Sequence, residues 1–423
     1  MDIDTLLQPF ARFGIRLELE RMQKLLSHLN NPQNQVPFIH VGGTNGKGSV
    51  CAYLSAILTE AGYRVGRYIS PHLVNWNERI CINEQEISSE KLGELITQIQ
   101  AAIPPGTESP TQFEVITAAA WLYFAQSQVD IAVMEVGLGG RFDATNVADP
   151  LISVITSISR EHWQLLGDTI TEIAGEKAGI IKAGRPVVVG QLPLEAEQVM
   201  RSRAEKLGSP LYFPSPSRQL ADGYAEYLGE NHSFQYPLPL AGQIQLANSA
   251  LAIATLQLLQ QQGWDKITIT TIVDGIAKTK WLGRIQWTTW KNKKLLIDGT
   301  HNPGGAKVFR DYVDTLNQES ITWVMGMMAK KDHADIFQIL LKPGDRVLLV
   351  PVPHSDSTEP SYLAQLAKET TPQLQLSQAE EDLESALDHA FSVSDNLVIL
   401  CGSLYLIGDF LSKISIEKYS THI

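Results

Sequence analysis

The chain is 423 residues long, 44% hydrophobic and 19% charged, with a formal net charge of −12. Such a length supports two or three domains with substantial cores, and the balance fits a soluble globular protein rather than a disordered or fibrous one. The negative charge argues against a general nucleic-acid binder, although a local basic cluster could still hold a small anion; the scattered Cys51, Cys81 and Cys401 argue against a disulfide frame or zinc site.

The N-terminal stretch MDIDTLLQPF is acidic and carries no long apolar run. No signal peptide is therefore expected, no segment reads as membrane-spanning, and the expected compartment is the cytoplasm. PFIHV at 37–41 predicts a strand, followed by the glycine-rich turn GGTNGKGS at 42–49. A helix comes next, its Val50, Leu54, Ile57, Leu58 and Ala61 on one face and Gly62 as a stop. Strands are predicted at 63–70, 129–136 and 151–158, the last two separated by the loop GLGGRFDATNVADP at 137–150. From Thr169 the spelling TITE is a capping box, and Gly184 can end the helix it starts. On that helix Ile170, Ile173, Ala174, Ala178 and Ile181 share a face, and Lys177 falls on it. An amine among apolar neighbours has its charged form disfavoured, so its pKa drops. Two outcomes stay open: a packed stem whose ammonium reaches water or an acid, and a neutral amine able to react with CO₂.

A short strand at 186–190, a Pro-, Ser- and Tyr-rich peripheral piece at 209–241 and a strong helix at 243–259 follow. After the basic stretch KTKWLGR at 278–284 the βα alternation restarts, with strands at 294–298, 321–326, 346–352 and 397–402. The predicted architecture is α/β: a large P-loop-type domain with a mainly parallel sheet over 1–284, and a smaller Rossmann-like domain over 285–423, with a cleft between them.

The turn at 42–49 departs from the usual phosphate-loop spelling, because Gly48 intervenes between Lys47 and Ser49. A tight glycine turn between strand and helix aims backbone N–H groups and the positive helix end at one point. Lys47 adds a mobile charge, and the Ser49 hydroxyl can hold Mg²⁺. A ligand-free βα turn is the competing reading; the strand before, the helix after and the lysine in place favour a phosphate site. Glu135 ends an apolar strand where ligands of parallel sheets collect, placed either for a metal or to cap its loop or pair with Arg141.

GTNGKGS at 43–49, ISPHL at 69–73, EVGLGGRFDATN at 135–146, GEKAGI at 175–180 and DGTHNP at 298–303 occur together and in this order. In this the chain resembles the Mur ligase superfamily, and more closely its dihydrofolate synthase/folylpolyglutamate synthase branch, whose loop variant includes the added glycine. The resemblance implies an ATP- and Mg²⁺-dependent, ADP-forming amide ligase. It would join L-glutamate to dihydropteroate, to the γ-carboxylate of folates, or to both, through an acyl phosphate; K⁺ is a further expected ion. Residue by residue it implies ATP contacts at Thr44, Asn45, Gly46, Lys47, Gly48 and Ser49. Asn248 would lie near the adenine or ribose, Arg284 on the phosphates, and Asp298 and His301 on the nucleoside. Ser49, Ser70, Glu135 and His162 match Mg²⁺ ligands; Lys47, Lys177 and His162 match catalytic positions, Lys177 as a carbamate. Phe113, Glu114, Arg141 and Asp143 match stretches that line the pterin and benzoate pocket, alongside a folate-binding N-terminal helix. The implied partners are these small molecules, without nucleic acid or membrane, and the chain is expected to be a monomer. Departures from the family spelling are Glu161 for Asp, Ile244 for His, and Lys330 for an acid.

Two readings compete. A ligase of UDP-linked cell-wall precursors shares the loop and the lysine, but only about forty residues precede the loop here. A P-loop regulator without amide chemistry needs neither Lys177 nor a second α/β unit carrying Asp298 and His301.

Overall fold

In a computed structural model of the chain, residues 2–13, 18–229, 233–393 and 396–420 are described. They divide into two units, one of residues 1–71, 75–239 and 244–280, the other of 72–74, 240–243 and 281–423.

The first unit is built on β1 (Phe38–Gly42), β2 (Val65–Tyr68), β3 (Ile80–Ile82), β4 (Gln85–Glu86), β5 (Ile131–Glu135), β6 (Ile152–Ile155), β7 (Val187–Val189) and β8 (Leu211–Tyr212). Their spatial order is β4-β3-β2-β5-β1-β6-β7-β8, parallel from β2 to β8, with β3 and β4 antiparallel at one edge. Every residue of β1, β5 and β6 is buried, which is why they read as continuous apolar runs rather than alternating ones. In register, Val41 stands beside Glu135 on one side and Val154 on the other. The carboxyl ends of the three central strands are therefore level, and their loops leave the sheet together.

Helices α1 (Ile3–Leu7), α2 (Glu20–His28), α3 (Lys47–Glu60), α4 (Ser89–Ala102), α5 (Gln112–Gln126), α6 (Trp163–Leu166), α7 (Ile170–Lys177), α8 (Leu194–Leu207), α9 (Ile244–Gln261) and α10 (Ile269–Lys278) belong to this unit. Helix α5 is apolar on nearly every side; Trp121 and Phe124 are fully buried, and Trp121 meets Phe38 edge-on at 5.1 Å. Burying a side chain of that size stabilises by about 1.5–3 kcal/mol. The capping box at Thr169 forms, but α7 stops at Lys177 and passes into a 3₁₀ turn, Ala178–Ile180, well before Gly184. The reason is competition for its carbonyls. Glu176 O accepts from Arg141 N–H (2.8 Å), Gly179 O from Asn146 Nδ2 (3.2 Å) and Ile180 O from Ser153 Oγ (2.9 Å). The Pro- and Tyr-rich piece folds as a separate antiparallel sheet of β9 (Arg218–Gln219), β10 (Tyr224–Leu228) and β11 (Ser233–Pro237).

The second unit has β12 (Gln286–Trp290), β13 (Lys293–Ile297), β14 (Thr322–Met325), β15 (Arg346–Leu349), β16 (Leu376–Ala379) and β17 (Val398–Cys401), in the order β12-β13-β17-β14-β15-β16. All pair in parallel except β12. With α11 (Pro303–Asp314), α12 (His333–Leu340), α13 (Pro360–Thr370), α14 (Leu383–Val393) and α15 (Leu404–Ser420) they enclose two cores, one on each sheet face. Successive strand residues alternate between them: Leu296 and Trp323 pack with Phe309 and Phe337, while Leu295 and Val324 pack with Leu406 and Phe410. Leu73 joins the latter core and Ala241 the former, although both are far from 281–423 in sequence. Among the described residues no helix is long and apolar enough to cross a membrane.

Candidate active site

Past β1 the backbone turns through Gly43 (φ +139°) and Gly46 (φ +87°), conformations that side chains disfavour. Space forbids a side chain as well: a Cβ on Gly43 would stand 2.0 Å from Thr156 Oγ1, and one on Gly46 2.6 Å from Asn248 Oδ1. Hydroxyl residues after β6 lace the turn. Thr44 N–H donates to Ser157 O (2.7 Å), Asn45 N–H to Ser157 Oγ (3.0 Å), Thr156 Oγ1 to Asn45 O (2.7 Å) and Ser159 N–H to Thr44 Oγ1 (3.1 Å). No side chain caps α3. Its first-turn amides and positive end therefore face the turn as a ready anion site.

Lys47 opens α3, and its Nζ folds back to donate to Thr44 O at 3.0 Å. Gly48 lies in the first helical turn without a positive φ, so the added glycine supplies no special backbone angle. It supplies only the absence of a Cβ beside the amides. Ser49 is buried, with Gln245 Nε2 at 3.5 Å from its hydroxyl; Asn248 Nδ2 donates to Gln245 Oε1 at 3.1 Å. Asn248 thus lies against the turn itself.

Lys177 is buried and its Nζ donates to Gly43 O at 2.8 Å, which brings the end of α7 onto the loop. Burial, and then the charge of Lys47, push its amine down to about 7, while Glu161 and Asp143 pull the other way. Glu135, the last residue of β5, is buried, and its Oε2 accepts from Ser70 N–H at 3.2 Å. Burial and the charge of Glu135 both raise the Cys51 thiol, which puts that carboxylate within electrostatic reach of α3 two residues beyond Ser49. His162 sits at the N-terminus of α6 with φ +50°, its side chain 43% exposed and 4.0 Å from the Glu161 carboxylate.

The glycine loop after Glu135 is held by Asp143. This buried carboxylate accepts from Leu138 N–H (2.8 Å), Thr145 N–H (3.0 Å) and Thr145 Oγ1 (2.5 Å), and burial raises its pKa. Thr145 Oγ1 in turn meets His40 Nε2 at 2.8 Å. The Phe113 ring lies on the same loop, so that a Cβ on Gly137 would stand 2.3 Å from Phe113 Cζ. Glu114 is buried one residue further on, and its Oε2 accepts from Thr111 N–H (2.7 Å) and Arg21 Nε (2.8 Å). Arg141 leans outward, Nη2 donating to Gly175 O at 3.1 Å.

In the second unit Asp298 follows β13 and is buried. Oδ2 accepts from Ile285 N–H (2.8 Å) and Oδ1 from Thr300 N–H (2.8 Å) and the Thr300 hydroxyl. Arg284 Nη1 donates to Gly283 O (3.1 Å), and Gly299 N–H to the same carbonyl (2.9 Å). His301 Nδ1 donates to Gly299 O at 2.8 Å; a carbonyl only accepts, so Nδ1 carries the proton. Arg284, Asp298 and His301 are thereby gathered on one pair of loops.

Hard oxygen donors mark the first unit's site: the Glu135 carboxylate and the Ser49 and Ser70 hydroxyl residues. Among the described residues no trio of His, Cys, Asp and Glu converges as a metal cage. One carboxylate with hydroxyls fits Mg²⁺, which prefers few protein ligands beside phosphate oxygens. Gln245 and the hydroxyls of Thr156, Ser157 and Ser159 escaped the sequence reading. The signal for the three hydroxyls was the run TSIS at 156–159, past the end of β6; Gln245 carried none.

A family model of the Mur ligase middle domain matches residues 41–256, and one of the dihydrofolate synthetase C-terminal domain matches residues 283–413. The chain is 34% identical over 421 residues to a dihydrofolate synthase/folylpolyglutamate synthase of Bacillus subtilis, covering 95% of this chain and 96% of that protein. It is 36% identical to the folylpolyglutamate synthase of Lacticaseibacillus casei, covering 94% of each. Among solved structures it is similar to Mycobacterium tuberculosis folylpolyglutamate synthase complexed with ADP (TM-score 0.88, 29% identity, 97% of each chain). It is also similar to Escherichia coli FolC in complex with DHPP and ADP (TM-score 0.85, 28% identity, 98% of this chain and 97% of that one).

Proposed function

Because the chain belongs to the dihydrofolate synthase/folylpolyglutamate synthase family of Mur ligases, we propose that it couples ATP cleavage to amide formation between L-glutamate and dihydropteroate, a folate γ-carboxylate, or both. The observation that carries this reading is the uncapped α3 terminus on a laced glycine turn, with Lys47 folded over it and Lys177 bonded to Gly43 O.

A carboxylate resists an amine because its oxygen is a poor leaving group. The acceptor carboxylate oxygen attacks the γ-phosphorus and ADP departs, giving an acyl phosphate. The glutamate amine then attacks the acyl carbon, a tetrahedral intermediate forms, and phosphate leaves as the amide is made. Two anions must approach in the first step. The α3 amides and the Lys47 ammonium lower that repulsion at fixed positions, which is where preorganised charge acts most strongly. Glu135, Ser49, Ser70 and His162 are the residues that would hold Mg²⁺, which when bound supplies charge neutralisation on the phosphate oxygens. Thr44, Asn45, Gly46 and Gly48 complete the phosphate contacts, and Asn248, which stands against Gly46, keeps its reading as an adenine or ribose contact; the resemblance gives Arg284, Asp298 and His301 nucleotide roles as well. Phe113 would face the acceptor, with Asp143 and Glu114 holding the walls around it, and Arg141, which leans outward, would reach it from the rim. The base for the incoming ammonium is a carboxylate neighbouring His162 when the imidazole lone pair is on the metal, and His162 itself when it is not.

A neutral Lys177 amine is nucleophilic toward CO₂: its nitrogen bonds the carbon, a proton leaves, and an anionic carbamate results. With ¹³C-bicarbonate, wild type is expected to show a carbamate resonance that Lys177→Met lacks; equal spectra would remove the modification. Replacing K⁺ by Na⁺ in the assay tests the further expected ion. A monomer in the cytoplasm completes the reading, and sedimentation reports the first of these.

The defining assay follows ADP release with glutamate plus dihydropteroate, then folates, then UDP-linked peptides, then no acceptor. Release only with the first two, and a product heavier by one glutamate, is the expected result. Release with UDP-linked peptides, or without any acceptor, overturns the assignment. Glu135→Gln is expected to raise the Mg²⁺ needed for half-maximal rate about tenfold or more; an unchanged titration counts against it as a ligand.

A further inference from the structure

A groove of ≈ 640 Å³ lies between α7 and α8, sharing only Arg141 with the site residues described above. Glu195, Ser202, Arg203 and Lys206 line it from one face of α8, and Thr171 and Gly175 from α7. The α8 residues recur at helical spacing, so this face presents a stripe about 17 Å long from Glu195 to Lys206. Arg141 lines the groove as well, and it connects the groove to the proposed reaction site. Its backbone N–H donates to Glu176 O, next to Lys177, and it stands on the loop that begins at Glu135.

Charge distinguishes this groove. Arg141, Arg203 and Lys206 face a single lining carboxylate, Glu195, in a chain whose net charge is −12. Arg141 approaches Glu176 at 3.5 Å, but neither Arg203 nor Lys206 has an ion-pair partner among the described residues. Arg203 Nε is moreover buried without a hydrogen-bond partner. That nitrogen is closed to solvent and does not itself face the groove, but a guanidinium lining it is most naturally satisfied by a carboxylate or phosphate oxygen. The small Gly175 and the hydroxyls of Thr171 and Ser202 leave room and donors for an extended chain rather than a flat ring.

We propose that this groove holds the γ-linked glutamate tail of a folate acceptor. In such a tail every unit keeps a free α-carboxylate, so negative charge repeats along a flexible chain. The cations of Arg141 at one side and Arg203 and Lys206 at the other answer that repeat along the inner units of the tail, whose terminal γ-carboxylate stays at the reaction site. The assignment rests on the ligase reading above and adds that tail length is sensed on α8.

The test uses the full chain carrying Arg203→Glu and Lys206→Glu together, with Arg203→Gln/Lys206→Gln as the milder form should the first melt early. KM is measured for dihydropteroate and for folates bearing one, two and three glutamates. The expected result is a KM rise that grows with tail length, about fivefold or more for the triglutamate, with dihydropteroate KM and ATP KM unchanged. KM values unchanged at every length, or raised equally for dihydropteroate, overturn it. Calorimetry with free γ-linked triglutamate, against free glutamate and inorganic phosphate, needs no turnover and so separates this proposal from the ligase reading. Binding of the triglutamate by wild type, lost in the double variant, supports the groove; no binding, binding equal in both, or phosphate binding alone refutes it.

Discussion

Burial sets the ionisation of two side chains near the sheet's carboxyl edge, and with it a pH dependence. His40 is fully buried inside β1, and burial drives its imidazolium down to about 3 from 6.5. Between those values the unfolded chain binds a proton that the folded chain refuses, so stability is lost as pH falls from 6.5 toward 3. His40→Gln should flatten that part of the urea-stability profile. Lys177 carries the same sign at higher pH. Its unfolded amine holds a proton up to 10.5 and its folded amine only to about 7, so stability rises across that window. In bicarbonate-free buffer Lys177→Met should lose the rise, and an unaltered slope would contradict a buried neutral amine. Lys47→Ala is expected to cut kcat for ADP release by about 10²–10³-fold with the melting temperature kept, as loss of one preorganised charge does. At this scale the sequence was informative where a residue stood out against its neighbours, as Lys177 does on an apolar face. It was silent where the meaning lies in a partner: Thr156 and Ser157 are ordinary hydroxyl residues until the turn they lace is in place.

Helix α5 illustrates how one element joins stability to the site. Its capping box places Glu114 where it also accepts from the buried Arg21 guanidinium. Removing Glu114 leaves Arg21 Nε without its buried acceptor, while Glu18 (2.7 Å) and Glu108 (3.5 Å) still pair Nη1, so Glu114→Ala should destabilise by about 1–3 kcal/mol in urea unfolding. The family resemblance gives Glu114 to the acceptor pocket; its capping box and its partner 93 residues away are what the sequence alone does not reveal. At the helix start Phe113 leans on Gly137, so Gly137→Ala forces the ring aside. The expected signature is a raised acceptor KM with ATP KM unchanged, and a stability loss of about 1–3 kcal/mol. Elements buried on both faces, β1, β5, β6 and α3, were legible from their apolar runs. The half-exposed β12 and β16 were not, since QWTTW and LSQA carry little apolar signal, nor was the end of α7, where Arg141 N–H takes Glu176 O and side chains take the next turn's carbonyls at Gly179 and Ile180.

At the scale of the whole molecule, the backbone visits the second unit three times, at 72–74, at 240–243 and from 281 onward. The short first visit is not incidental. A Cβ on Gly408 would stand 1.8 Å from Leu73 O, and Leu73 packs beside Leu406 and Phe410. A severed chain should therefore behave unlike a pair of beads on a string. An engineered protease site between β10 and β11 would give two bands on a denaturing gel, each band owning pieces of both units. The nicked protein should nonetheless elute as one species until denaturant is added, and swapping 281–423 between relatives as a cassette should fail unless the strip at 72–74 travels with it.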